Sequence, residues 1–457
     1  MSLFGTAGIR GDVGETVTPA RAVSVGRAAG REARERGAHE FVVARDGRTS
    51  GRALADAVSA GLASAGVRVR RAGVLPTPAL GFASTNRRGL MVTASHNPPA
   101  DNGFKLFADG TEYDQAAERR VADLVTDAAP PAEWPAWTEA SRVSVLDRYR
   151  EAVVEYAERH GAAPGGIRVA VDAGNGMAGP ATPGVLRALG ADVVALNANV
   201  DGHFPARESK PTPDSLVEFQ SFVRADDPAF GVAHDGDDDR IVVVGSDGDI
   251  VHEDTVVAIL AEHYTRESEA GDPVVVTTPN ASARIDERVA AAGGRVERVR
   301  LGRLREGIAS IRESGGADTT VAFAAEPWKH VHPGLGGWID GVASAAVLAR
   351  LVAAAGSIEA LRTPVRERPY RKENISCPDD RKPDAMDRVR EALPAAFPDA
   401  DVDTDHGVRI TRPDGSWVLV RPSGTEPYLR VYAESESVDD LIEDAVGVVE
   451  RAVSGRA

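Results

Sequence analysis

Three stretches of this chain carry side chains whose types and spacing could do chemistry. In Gly89-Leu-Met-Val-Thr-Ala-Ser-His-Asn-Pro98 an apolar run, Leu90-Met91-Val92, stops at Thr93, Ala94 and Ser95, and His96, Asn97, Pro98 and Pro99 follow. A short buried strand feeding a rigid polar loop presents a reactive side chain at the carboxyl edge of an α/β sheet. The prolines restrict the backbone, so Ser95 is expected on a fixed loop. Asn102, Gly103 and Lys105 come next. The second stretch is His234-Asp-Gly-Asp-Asp-Asp-Arg240, set between two apolar runs. If that loop is extended, the carboxylates of Asp235, Asp237 and Asp239 share a side, and three hard oxygens so close repel unless a cation sits among them. Mg²⁺ suits an all-oxygen ligand set and phosphate chemistry. A calcium EF-hand is disfavoured, because the bidentate Glu is missing and strands rather than helices bracket the loop. The third stretch, Arg421-Pro-Ser-Gly-Thr-Glu-Pro427, combines a guanidinium, two hydroxyls and a glycine that lets backbone N–H groups approach an anion, which suits a phosphate cradle.

Each stretch alone has a plainer account: a strand-ending turn, an acidic surface loop, a polar hairpin. Together they select a reaction class. A fixed serine, a divalent-cation loop and a separate phosphate cradle suit phosphoryl transfer to and from a serine on a phosphorylated substrate.

The elements that must position these loops repeat a rhythm of strand, polar loop and helix. Thr18 and Pro19 signal the start of a helix that Gly37 can end. Phe41–Ala44, Ile167–Asp172, Phe230–Ala233, Ile241–Val244, Pro273–Thr277 and Thr320–Ala324 read as buried strands, and Val342–Ala355 as an amphipathic helix interrupted by Arg350. Beyond about Thr363 come a helix, a hairpin turning at Arg412-Pro-Asp-Gly415, two strands around the Arg421 loop and a final amphipathic helix. The expected divisions are residues 1–144 with the serine loop, 145–248 with the acidic loop, 249–363, and 364–457 with the phosphate loop. The first three are α/β domains with mixed sheets flanked by helices; the fourth is a smaller α+β domain.

Composition bounds the setting. A net charge of −16 over 457 residues disfavours non-specific attraction to nucleic acid or anionic membrane. No apolar run reaches the length of a membrane span, and the first residues lack the parts of a signal peptide. Cys377 is the sole cysteine, which fits a reducing interior, so a cytoplasmic protein is expected, as a monomer or homodimer. Lysine occurs only at 105, 210, 329, 372 and 382, so a lysine inside a motif is unlike generic surface filler. The arginine bias and acidic surplus suggest a high-salt or GC-rich source.

The residues resemble the α-D-phosphohexomutase superfamily of phosphoglucomutases, phosphomannomutases and phosphoglucosamine mutases. The matching motifs are Phe4-Gly-Thr-Ala-Gly-Ile-Arg-Gly11, Thr93–Pro99, Asp235–Arg240 and Arg421–Pro427, in the family's order along nearly the whole chain. The resemblance implies four domains around a central cleft and interconversion of hexose or hexosamine 1- and 6-phosphates through a hexose 1,6-bisphosphate. It makes Ser95 the phosphoserine, with Asp235, Asp237 and Asp239 holding one Mg²⁺ together with a phosphate oxygen on Ser95. Lys105 and His96 would assist proton movement. Arg10, Arg240, Glu326 and His330 would meet the substrate, and Arg421, Ser423, Gly424, Thr425 and Arg430 the phosphate that does not react.

One loop departs from the family pattern. Where members carry Gly-Glu-x-Ser-Gly-His, this chain reads Ala325-Glu-Pro-Trp-Lys-His330, so Glu326 and His330 keep their positions while Trp328 and Lys329 replace Ser and Gly. Trp328 is a candidate platform for a sugar face and Lys329 a candidate phosphate partner. The opening motif and the Glu326-Pro327 loop resemble archaeal chains of the phosphoglucosamine mutase group, which gives the lean in sugar; glucose and mannose phosphates stay open. Two other readings remain: a catalytically silent sugar-phosphate sensor, and a phosphatase with Asp235 as nucleophile. Neither uses Ser95, and Ser95→Ala separates all three.

Overall fold

The computed structural model describes residues 3–5, 8–423 and 426–455. The motif residues Thr6, Ala7, Gly424 and Thr425 lie outside the described set. The chain forms two compact units: residues 1–256 with 321–363, and residues 257–320 with 364–457.

The first unit holds two mixed sheets. In one, the strands run Ile9–Asp12, Asp101–Ala108, Arg88–Val92, Glu40–Arg45, Arg68–Val74 and Ala140–Arg142, with Thr111–Glu112 paired to the end of the second. Glu40–Arg45 is parallel to both Arg68–Val74 and Arg88–Val92, so their carboxyl ends open on the same edge. Arg88–Val92 then pairs antiparallel with Asp101–Ala108, Met91 opposite Lys105. That return stroke carries Lys105 back beside the loop that Arg88–Val92 has just delivered. The helices Pro19–Glu35 and Gly51–Ser64 cover the sheet through Val25, Ala29, Leu54, Val58 and Leu62. Thr18 caps the first of them, its hydroxyl accepting from Arg21 N at 3.1 Å, with Pro19 in the first turn, as the sequence predicts.

The second sheet runs Ile241–Gly245, Phe230–His234, Arg168–Asp172 and Asp192–Leu196. Phe230–His234 and Ile241–Gly245 form an antiparallel hairpin, His234 opposite Ile241. Every residue of both strands is buried, so the six residues that join them, 235–240, are pinned at both ends. Also in this unit, residues 324–326, at the end of the strand Thr319–Glu326, pair with Lys329–Val331 in a hairpin closed by Pro327 and Trp328. The helix Gly341–Ala355 follows, capped by the Asp340 carboxylate. It differs from the amphipathic helix expected, being buried almost all round. Arg350 does not mark a wet face: its Nε donates to His160 O at 2.5 Å, and pairing with a carbonyl is what makes a buried guanidinium tolerable.

The second unit contains an antiparallel sheet ordered Tyr370–Ser376, Tyr428–Glu434, Trp417–Pro422, Val408–Thr411 and Asp401–Asp403. The helices Lys382–Ala396 and Val438–Ser454 bury Met386, Val389, Leu441, Ala445 and Val449 against it. The same unit holds the parallel pair Asp272–Thr277 and Arg295–Arg298, Val275 opposite Val296. No helix among the described residues is long and apolar enough to cross a membrane.

Candidate active site

Two loops of the first unit meet. Ser95 stands at φ 53°, a left-handed conformation that costs a non-glycine residue about 1–2 kcal/mol, and its side chain is fully buried. The Ser95 hydroxyl donates to Asp235 Oδ2 at 2.8 Å. The close approach depends on Gly236, where a Cβ would lie 2.6 Å from Ser95 O and push the two loops apart. Gly103 lets the strand Asp101–Ala108 lie against its neighbours, since a Cβ there would collide with Ile9 O and lie 2.9 Å from Thr93 O.

The acidic loop is a turn, so the condition under which alternate aspartates would share one side, an extended loop, is not met. Asp238 is left-handed, at φ 67°, and its N–H donates to Asp235 O at 3.3 Å. The turn still gathers one carboxylate oxygen from each of Asp235, Asp237 and Asp239 to within 4.8 Å of one another, all three residues buried. Lys105 Nζ donates to Asp237 Oδ2 at 3.1 Å and to Asp239 Oδ2 at 2.7 Å. The opposite oxygens, Oδ1 of Asp237 and of Asp239, are buried with no hydrogen-bond partner. Buried carboxylate oxygens without a partner are costly unless a cation meets them. The donor set is hard, anionic and oxygen-only, so the residues present fit a small divalent ion.

The charges of the site follow from this packing. Burial, together with repulsion from Asp239 and Asp237, pushes the Asp235 carboxyl up to about 8. Asp239 goes the other way, because Lys105 and Arg240 outweigh its burial and hold it ionised. For Lys105 burial is likewise outweighed by Asp237 and Asp239, which raise its pKa and fix the ammonium charge. His96 Nδ1 lies 3.4 Å from Ser95 Oγ. Burial and the neighbouring Arg240 and Arg10 push the His96 imidazole down to about 3, so it is neutral.

Arg10 Nε and Arg240 Nε are buried donors without a hydrogen-bond partner; Arg240 Nε does form ion pairs, 3.6 Å from Asp235 Oδ2 and 3.8 Å from Asp239 Oδ1. Glu326 and Lys329 face each other across the hairpin, Oε2 and Nζ 3.5 Å apart. That hairpin also lies against the end of the acidic loop, where the Arg240 backbone pairs with Lys329 and Ile241 N, just beyond it, donates to Trp328 O at 3.0 Å. The Trp328 ring packs on the core that includes Phe219 and Val244, a packing role the sugar-platform reading did not foresee. His330 is buried, its Nδ1 2.9 Å from Ser344 Oγ, and burial pushes it down to about 3.

In the second unit, Arg421 and Arg430 are directly opposed on adjacent strands. Arg421 Nη2 donates to Tyr432 OH at 3.0 Å, and Arg430 Nη2 lies 3.4 Å from Ser423 Oγ. Lys382, given no role from sequence, donates to Ser423 O at 2.7 Å and Glu426 O at 2.6 Å, which fixes the loop from behind. Two guanidiniums beside a hydroxyl make a surface suited to a phosphate.

Sequence reasoning also passed over Asp46, Arg48, Thr77 and Thr93. Thr77 Oγ1 donates to Asp237 Oδ2 at 2.6 Å, and Thr77 N to Asp237 O at 2.9 Å. Thr93 Oγ1 donates to Asp46 Oδ2 at 2.7 Å and accepts from Ser95 N at 2.8 Å. The available signal was positional: Asp46 and Thr93 both follow buried parallel strands, at the same edge.

Family models described as phosphoglucomutase/phosphomannomutase match three parts of the chain: alpha/beta/alpha domain I over residues 1–131, alpha/beta/alpha domain II over 147–248 and the C-terminal domain over 373–449. A protein of Thermococcus kodakarensis named "Phosphopentomutase" is 38% identical, over 99% of each chain. One of Methanopyrus kandleri named "Probable phosphoglucosamine mutase" is 38% identical over 98% of each. The crystal structure of a phosphoglucomutase/phosphomannomutase family protein from Burkholderia thailandensis has a TM-score of 0.86 at 29% identity, covering 100% of this chain and 98% of that one.

Proposed function

The chain belongs to the phosphoglucomutase/phosphomannomutase family and is a phosphomutase, and we propose that it moves a phosphoryl group between O1 and O6 of a hexosamine phosphate by way of Ser95. The observation that carries this reading is the 2.8 Å contact between Ser95 Oγ and Asp235 Oδ2, beside carboxylates with unpartnered oxygens. Asp235, Asp237 and Asp239 would hold Mg²⁺, which when bound neutralises charge on the transferring phosphoryl group.

The chain's own residues account for the rest. Phospho-Ser95 gives its phosphoryl group to the free sugar hydroxyl. The new P–O bond forms as the Ser95 Oγ–P bond breaks, and the hydroxyl proton leaves to a nearby base. The resulting bisphosphate returns its other phosphoryl group to Ser95: a new Oγ–P bond forms as the sugar O–P bond breaks, the base gives its proton back to the freed sugar oxygen, and the isomeric monophosphate leaves. Lys105, locked as a cation, is suited to stabilising developing negative charge and unsuited to accepting a proton. Neutral His96 lies 3.4 Å from Ser95 Oγ, but burial and the charges of Arg240 and Arg10 hold its pKa down to about 3, so it would take a proton only once phosphate oxygens pair those arginines. The spare donors of Arg10 and Arg240 would meet phosphate oxygens. Arg421, Ser423 and Arg430, with Gly424 and Thr425, would hold the phosphate not being transferred.

A second reading, mutation of a pentose 1-phosphate to its 5-phosphate, is favoured by the relative named phosphopentomutase and by the hairpin at Glu326. There a carboxylate that the family offers to sugar hydroxyls lies 3.5 Å from the Lys329 ammonium. The deciding experiment is ³¹P NMR with Mg²⁺ and a trace of hexose 1,6-bisphosphate, offering glucosamine, glucose, mannose and ribose 1-phosphates in turn. Fastest conversion of the glucosamine ester supports the first reading, and of the ribose ester the second. Release of inorganic phosphate, or turnover undiminished in Ser95→Ala, would refute both.

A further inference from the structure

Arg48 does nothing in the scheme above, yet it is among the most completely bonded side chains near Ser95. Its guanidinium is fully buried. Nη2 donates to Ser95 O at 2.8 Å and to Asn97 O at 2.6 Å. Nη1 donates to Pro98 O at 2.5 Å and to Asp101 O at 3.0 Å, and Nε donates to Asp46 Oδ2 at 3.1 Å. An arginine has five N–H donors, and here each is matched: four to backbone carbonyls of the Ser95 loop and one to a carboxylate. None is left to reach a phosphate.

The surroundings make the clamp rigid. Asp46 accepts from Arg48 N at 3.0 Å and from Thr93 Oγ1 at 2.7 Å. Thr93 Oγ1 in turn accepts from Ser95 N at 2.8 Å. The Ser95 peptide is thus held at its N–H through Thr93 and Asp46 and at its carbonyl through Arg48. From the other side the Phe204 ring covers the guanidinium, centroid 5.1 Å from Cζ, and Ser209 Oγ donates to Asn97 O at 2.8 Å. Ser95 itself is left-handed, and a residue in that region persists only where its surroundings over-determine it.

We propose that Arg48, braced by Asp46, is a positioning residue that holds the Ser95 loop in the conformation from which Ser95 exchanges its phosphoryl group. The inference rests on Ser95 as the phosphoryl carrier, but its structural half stands without it. Four aligned carbonyls facing inward repel one another and would turn outward to water if the guanidinium were removed. Displacement of a reacting group by about 1 Å costs about 10²-fold in rate. Since Arg48 touches neither sugar nor phosphate, its loss acts on kcat and leaves KM for the sugar phosphate unchanged.

The test uses the full chain with Arg48→Lys and Arg48→Ala. Hydrogen exchange is followed on the peptide 93–101, whose Thr93, Ser95, Asn97 and Asp101 amides all donate within the fold. Turnover is measured alongside with Mg²⁺ and the sugar 1-phosphate preferred by the wild type. Exchange in 93–101 should accelerate at least about tenfold while strands 40–45 and 88–92 stay protected, and kcat should fall about 10²-fold at constant KM. Added guanidinium ion should return part of kcat to Arg48→Ala; if that variant does not fold, Arg48→Lys carries the test. Unchanged exchange in 93–101 would overturn the proposal, as would loss of protection throughout residues 8–108 together, or a raised KM at full kcat. A wild-type protein that never phosphorylates Ser95 refutes the phosphoryl-carrier reading instead, and the exchange result still decides whether Arg48 fixes the loop.

Discussion

Replacing Lys105 by Met tests the electrostatic logic of the site. The side chain keeps its length and buried stem but loses the charge that meets Asp237 Oδ2 at 3.1 Å and Asp239 Oδ2 at 2.7 Å. Removing one partner of a buried ion pair costs about 3–5 kcal/mol, because the remaining charge stays buried and unmatched. For a unit of this size each kcal/mol moves the melting temperature by about 2–4 °C, so in EDTA the variant should melt on the order of 10 °C below the wild type. The oxygens of Asp237 and Asp239 without a hydrogen-bond partner are the Oδ1 atoms, while Lys105 meets the Oδ2 atoms. A divalent ion held by the Oδ1 atoms would therefore complement Lys105 rather than compete with it. Saturating Mg²⁺ should stabilise both proteins, by about 2.7 kcal/mol at a hundred times its Kd, and the variant more, since its aspartates are less neutralised. Melting curves with and without Mg²⁺ give both differences. Equal melting of the two proteins in EDTA, or a smaller Mg²⁺ shift in Lys105→Met, would show that Lys105 is not the counter-charge of the triad.

Three further outcomes follow from the same geometry. Thr77→Val removes the 2.6 Å hydroxyl bond to Asp237, and loss of such an outer partner should weaken Mg²⁺ or Mn²⁺ binding about 10-fold or more by calorimetric titration. Trp328 closes a hairpin at φ 65°, so Trp328→Gly relieves backbone strain that Trp328→Ala keeps; the glycine variant should be the more stable by about 1 kcal/mol, the reverse of the usual order, with KM for the sugar changed in neither if the ring serves packing. Burial pushes the Asp340 carboxyl up to about 6 against the hydrogen bonds that oppose it. The native state then holds a proton that the unfolded chain releases near pH 4, so stability should fall between about pH 4 and 6 by about 3 kcal/mol and level off above. In Asp340→Asn that segment of the stability–pH curve should flatten, and an unchanged slope would assign it to another group.

The sequence displayed those features that local pattern encodes. Apolar runs such as Leu90–Val92 and Ile241–Val244 announce strands buried on both faces, and the polar residues after them are therefore at a sheet edge. Ser95, the three aspartates and the Arg421 loop are legible for that reason: each interrupts a strong pattern with chemistry. The alternation of aspartates did not reveal the conformation of the acidic loop, because Asp238 turns left-handed and the hairpin on either side closes the loop, yet the three carboxylates still converge. Arg350 was misread because a charge in an apolar helix normally marks a wet face, and only tertiary structure reveals the His160 carbonyl that receives it. Arg48 was invisible for a deeper reason. Its partners on the Ser95 loop are backbone carbonyls at residues 95, 97, 98 and 101, and a carbonyl has no signature in an amino-acid sequence.

That difference says how the site is built. Glu40–Arg45 and Arg88–Val92 are parallel neighbours, so the loops after them, 46–48 and 93–97, leave the sheet side by side. The return strand Asp101–Ala108 is antiparallel to the second, and it brings Lys105 back to the same edge from the opposite direction. Asp237 then receives Thr77 from the start of a helix and Lys105 from that returning strand, so the acidic loop and the serine loop are tied through the same few atoms. A buried polar network of this kind is tolerable only when nearly every member is satisfied. The exceptions in the acidic loop and beside it include Asp237 Oδ1, both oxygens of Asp238, Asp239 Oδ1, Arg10 Nε and Arg240 Nε. Of these, Asp238 Oδ1 lies 2.8 Å from His234 Nδ1 and Asp239 Oδ1 lies 3.8 Å from Arg240 Nε, whereas Asp237 Oδ1 and Arg10 Nε have neither a hydrogen bond nor an ion pair among the described residues. The divalent ion and the phosphoryl group on Ser95 proposed above would meet that acceptor and that donor.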